Sequence, residues 1–183
     1  MKISWVLANQ LKDPLIDPEA LQNVGSTWGG WPTWRAYQTD NVLADEKSVC
    51  TDLVNRNFQQ QCNLYVPQRL YAELNRPDSV NLYNGEFATE FDNKEDIISM
   101  HLTATMFDVV LLLGFDLQQT ESTDAYTRHK HQNYLNAFAG AVKQNSETQW
   151  VLVDHSDRLP DNVQNLPNIA CDSYSNVLEY FKD

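Results

Sequence analysis

The chain has 183 residues, 42% of them apolar and 21% charged, and a formal net charge of −12. This is the composition of a folded domain with one sizeable core and not of a disordered chain. So acidic a surface repels phosphate backbones and anionic lipid headgroups, which excludes a sequence-independent nucleic-acid binder and a peripheral membrane protein. Cys50, Cys62 and Cys171 form no CxxC pair and suggest neither a zinc site nor a disulfide framework. No apolar run approaches the roughly 18 residues of a spanning helix, and the opening residues read as a strand and not as a secretory signal. The expectation is a soluble, cytoplasmic protein.

In chain order, residues 3–8 predict a first strand, followed by breaks at Asp13-Pro14 and Asp17-Pro18 and a short helix starting at Pro18. Residues 25–32 read as an irregular loop, with Trp28, Trp31 and Trp34 in or beside it. Residues 45–61 predict a helix with Val49, Leu53, Val54 and Phe58 on one stripe. Short strands follow at 63–66 and 80–83, with one helical segment between them at 69–74. Asp92 and Glu95 resemble a capping pair for a helix whose buried face carries Ile98, Leu102 and Met106. The run Val109-Val110-Leu111-Leu112-Leu113 is unbroken and apolar, the mark of a strand covered on both faces. A polar loop, a long helix over 125–145 with Tyr134, Phe138 and Val142 four apart, and a second apolar strand at 149–153 complete a β-α-β unit. A polar connection, a strand at 168–171 and a helix capped by Ser173 close the chain. This alternation predicts one α/β domain over residues 1–183. It would be a three-layer, Rossmann-like fold with a mainly parallel sheet of about five or six strands and right-handed crossovers.

In such sheets ligands bind beyond the carboxyl ends of the strands, where strand order reverses. The expected strand ends present Asn9, Asn84-Gly85-Glu86, Gly114-Phe115-Asp116, Asp154-His155-Ser156 and Asp172-Ser173. Gly114 permits an unusual backbone angle or a close approach. Asp116 can bind a ribose hydroxyl, hold a metal or act as a base; the alternative is a loop carboxylate satisfied by nearby backbone. His155 suits a general base, against the alternative of a surface histidine. Asp172 and Ser173 are explained by helix capping. Arg35 can meet a phosphate or carboxylate. The tryptophan segment either packs, stacks on a flat ligand or meets another subunit. His129 and His131, two apart on a helix, point away from each other and make no zinc pair. No phosphate loop, G-x-G-x-x-G exit or G-x-S-x-G elbow occurs.

The stretch Leu112-Leu113-Gly114-Phe115-Asp116-Leu117, with its following polar loop and helix, resembles a strand-end G-x-D pattern of sialyltransferase-like Rossmann proteins. Their relatives include the 6-hydroxymethylpterin pyrophosphokinase-like group. The resemblance covers roughly the last third of the chain. It implies a nucleotide-linked donor near Asp116 and transferase-type chemistry. The reading of the whole chain is thus a small protein that binds, or transfers from, a nucleotide-linked small molecule. In that reading Asp116 and His155 are catalytic, and Asn9, Arg35, Gly114, Asp154 and Ser156 bind ligand. The cofactor stays open, and no residue is assigned as a metal ligand. The alternative is a non-catalytic assembly protein, a homo-oligomer in which residues 28–34 form the interface.

Overall fold

The computed structural model describes residues 1–118, 122–154 and 159–181. Eight strands form one sheet: β1 (Ile3–Leu7), β2 (Ser26–Gly30), β3 (Asn41–Leu43), β4 (Asn63–Pro67), β5 (Asn81–Tyr83), β6 (Val109–Leu113), β7 (Gln149–Val153) and β8 (Ile169–Asp172). Their order is β5-β4-β3-β2-β1-β6-β7-β8 and every pair is parallel. The helices are α1 (Pro18–Val24), α2 (Trp31–Tyr37), α3 (Lys47–Asn55), α4 (Lys94–Ala104), α5 (Ala125–Gln144), α6 (Asp161–Gln164) and α7 (Tyr174–Tyr180). None is long and apolar enough to cross a membrane.

Alternation along the strands sorts the core. In register, Val6 lies beside Leu112 and Leu112 beside Leu152. These, with Trp28 and Trp150, pack on one face against α4, α5 and Val163 of α6. Trp5, Leu7, Leu111 and Leu113 point to the other face, against α1 and α7. Val42, Leu64 and Val66 extend that second face toward Cys50 and Leu53 of α3. From β1 the chain winds outward through β2 to β5 with its helices on the second face. It then returns through α4 on the first face and winds the other way from β6. Reversal of direction with reversal of face is what right-handed crossovers require. It makes β1 and β6 neighbours at a topological switch point.

The sheet exceeds the expected five or six strands because β2 and β3 are hard to read. β2 is Ser-Thr-Trp-Gly-Gly and β3 only three residues long. Residues 25–32 are therefore not a loop: they form β2 and the start of α2. Trp28 is 2% exposed in the core, tilted on Tyr65 with ring centroids 4.9 Å apart. Trp31 and Trp34 stack at 5.3 Å and both meet Phe58 edge-on. The helix expected over 45–61 ends at Asn55, and a left-handed Asn57 leads into a 3-10 turn, Phe58–Gln60. The expected capping pair is absent. Asn93 precedes α4 with φ +56°, and Asp92 bonds Lys130 at 3.0 Å. The buried face of α4 is broader than the expected stripe: Ile98 is buried as expected and Leu102 half-buried, but Asp96, Ile97, Ser99, Met100 and Thr103 are buried too, while Met106 lies beyond the helix, exposed.

Candidate functional site

At the switch point β1 ends and the chain turns, with the Ala8 N–H bonded to the Leu113 carbonyl across the sheet. Asn9 follows and is bonded on all sides. Its main-chain N–H donates to Asp96 Oδ1 (2.9 Å), its Nδ2 to Glu95 Oε2 (3.3 Å), and its Oδ1 accepts from Thr33 Oγ1 (3.1 Å). Gly30 makes room: a Cβ there would lie 2.2 Å from Asn9 Oδ1. Asp96, 1% exposed in the first turn of α4, also accepts from the Tyr134 hydroxyl of α5 (3.3 Å). Burial pushes its carboxyl up to about 8, against the opposing hydrogen bond from Asn9. Burial, with the charge of Asp45, also raises Glu95. The main-chain amide that dinucleotide-binding folds turn to a phosphate is here spent on a carboxylate. That amide is thus not open to a phosphate, in keeping with the missing glycines.

The residues expected from the sequence are distributed around this hub. Gly114 has φ +78°, and a Cβ there would lie 2.8 Å from Leu11 Cβ. The glycine lets the exit of β1 pass over the exit of β6, so packing accounts for it. Asp116 is exposed, accepts from the Gln118 N–H (3.2 Å) and faces the Tyr134 hydroxyl electrostatically. Asp154, at φ +54°, accepts from the Tyr174 N–H (2.8 Å) and so caps α7 from the neighbouring strand. Ser173 caps the same helix through the Asn176 N–H, as expected. Arg35 is exposed on the last turn of α2, 4.9 Å over the Trp31 ring. That ring packs on the second face, whereas the Asp116 loop runs on through Leu117 on the first, so Arg35 and Asp116 do not converge. His155 and Ser156 lie outside the described residues.

A concavity stands further out, beyond β2 and β3. A cleft of about 590 Å³ opens between α4 and the carboxyl ends of β4 and β5. Ile98, His101 and Leu102, at i, i+3 and i+4, present one face of α4 to it. The facing wall carries Arg69, Tyr83, Glu86 and Phe87. Phe87 is held edge-on by Phe91, with ring centroids 4.8 Å apart. Arg69 Nη2 donates to Asp45 Oδ1 (3.0 Å) and to the Asp45 carbonyl (3.3 Å), and Tyr83 donates its hydroxyl to the same carboxylate oxygen (3.0 Å). Burial, then the Asp45 charge, keeps Tyr83 protonated. His101 turns Nδ1 to Asn145 Nδ2 at 3.4 Å, which leaves the ring proton on Nε2. Burial lowers its pKa, so the ring is neutral near pH 7. Asp45 then links cleft and switch point electrostatically, since its charge and main-chain N–H both act on the Glu95 carboxyl.

Sequence reasoning placed Asn9 and Glu86 at strand ends but missed Asp45, Arg69, Tyr83 and Asp96 as polar partners. Asp96 had a signal: with Met100 and Thr103 it makes an i, i+4, i+7 set, a carboxylate on a buried stripe. Among the described residues, no group of three or more His, Cys, Asp and Glu side chains is arranged to hold a metal ion. In comparisons with known proteins, the chain matches no family model, no curated protein and no solved structure.

Proposed function

We propose that this protein binds a nucleotide-like small molecule in the cleft between α4 and β5. The observation that carries the reading is the mixed lining of one cleft of about 590 Å³, a volume within the usual range for small-molecule sites. Arg69 engages Asp45 through Nη2, and its remaining guanidinium donors suit an anionic oxygen. Glu86 matches ribose hydroxyls, the role an acidic residue takes in dinucleotide folds. Phe87, Ile98 and Leu102 offer an apolar bed for a base. This moves the nucleotide-linked ligand from Asp116 to the outer strands. The spent amide of Asn9 favours the move, because that amide is not open to a phosphate.

Thermal unfolding of the full chain with nucleosides, nucleoside monophosphates and nucleotide sugars tests this. A ligand at 100 times its Kd stabilises the native state by about 2.7 kcal/mol, about 5–10 °C for a domain of this size. Arg69→Gln removes a charged hydrogen bond worth about 1.5–3 kcal/mol and should weaken monophosphates about tenfold or more while leaving nucleosides unchanged. The reading fails if no member of the panel shifts the melting point, or if Arg69→Gln and Phe87→Ala both bind as the parent does.

A further inference from the structure

Among the described residues, the most buried acidic or basic side chain is the Asp96 carboxyl, and the ligand reading above makes no use of it. It joins three pieces of chain: the start of α4, which carries it; the exit of β1, through the Asn9 N–H at 2.9 Å; and α5, through the Tyr134 hydroxyl at 3.3 Å. Among the described residues no lysine or arginine pairs with it. The groups that face it are Glu95 from its own helix, Asn9 from β1 and Tyr134 from α5. Behind Tyr134 stand the ring of His131, stacked at 6.3 Å, and the charge of Asp116. Asp45 acts on it only through Glu95. An ionised carboxylate in this position has two neutral donors, no counter-charge and further carboxylates nearby, an unfavourable state in a dry site. A neutral carboxyl has none of that cost and keeps both contacts, its carbonyl oxygen accepting from Asn9 and its hydroxyl meeting Tyr134.

We infer that Asp96 is a proton-operated latch: neutral, it fastens the exit of β1 to α4 and α5, and ionised, it lets the exit of β1 swing free. The proton goes to solvent, and the opened carboxylate gains water in place of its two protein donors. The sign follows from linkage. The closed form binds a proton that the open form releases at the ordinary carboxylate pKa. Closure is therefore complete below the ordinary range and weakens as the pH rises through the raised value of the closed form. Because Asn9 also holds Glu95, and Glu95 meets Asp45, an open latch loosens the polar chain that ends at the cleft.

The experiment compares the full-length parent with Asp96→Asn from about pH 5 to about pH 9, the span that brackets both carboxyl states. The asparagine keeps an acceptor for Asn9 and a donor for Tyr134 but has no proton to lose. The parent should lose melting temperature across this range relative to the variant. Its Asn9 amide should exchange with solvent increasingly faster than base catalysis alone requires, while in the variant it does not. Carboxyl carbon NMR of the parent should show one aspartate titrating well above the ordinary range, a readout that does not depend on the variant folding. Parallel melting curves with equal Asn9 exchange overturn the latch, and so does a parent in which every aspartate titrates in the ordinary range.

Discussion

Gly30 stands where no side chain fits, although its backbone, with φ −74°, suits any residue. The constraint is contact alone: a Cβ would meet Asn9 Oδ1 at 2.2 Å. Gly30→Ala must therefore push Asn9 off Thr33 and Glu95, and overpacking of this kind costs about 1–3 kcal/mol. Urea denaturation checks it, with Asn9→Ala in the same background expected to recover part of the loss. A Gly30→Ala protein as stable as the parent would mean that Asn9 is not held as the geometry requires. At this scale the sequence was readable in part. Asn9 and Gly114 stood out because they follow apolar strands, and both sit at the crossing of the two central exits. Asp96 did not, because the Asp92–Glu95 pattern points to a cap. In the fold, Asp92 is drawn to Lys130 and Asn93 takes the left-handed position before α4. The helix that starts after Asn93 carries Asp96 on the buried stripe of Met100 and Thr103, a placement that the cap pattern does not reveal.

Elements were legible in proportion to their length and apolar density. β6 has five bulky apolar residues and β7 four after Gln149, and α5 runs for 20 residues on a clear stripe; all three were visible. β2 and β3 were not, since glycine and a three-residue length lack strand signals, and only pairing with β1 and β4 makes them strands. The same reliance on neighbours shows at α7. Its cap comes partly from Ser173 next to it and partly from Asp154, 20 residues upstream at the end of β7. Losing a cap costs about 1 kcal/mol, so Asp154→Ala should lower the melting temperature by about 2–4 °C. Asparagine tolerates the left-handed backbone at φ +54° and can still accept from the Tyr174 N–H, so Asp154→Asn should stay near the parent. If Asp154→Ala melts with the parent, the carboxylate is not acting as a cap and a ligand role at that strand end regains ground.

Across the whole molecule stability should fall from the middle of the sheet to its edges, and more steeply on the side that carries the cleft. β6 is buried at all five positions and paired in full register with both β1 and β7. One apolar cluster runs over that centre from Trp28 to Trp150. At one edge β5 has three residues, two of them exposed, and one neighbour. Behind β3 and β4 lies a smaller cluster around Val42, Leu53 and Leu64, separate from the one under β1 and β6. Local opening follows buried contact. In native-state hydrogen exchange, amides of β1, β6 and β7 should therefore exchange only through global unfolding, and those of β4 and β5 through smaller openings. A cleft ligand, bound between β5 and α4, should slow exchange in β4 and β5 first and leave β7 unchanged, since mass action protects only the openings that destroy the site. Exchange in β5 as slow as in β6 without ligand would contradict the gradient. Protection confined to β6 and the start of α5 would return the ligand to Asp116 and away from the cleft.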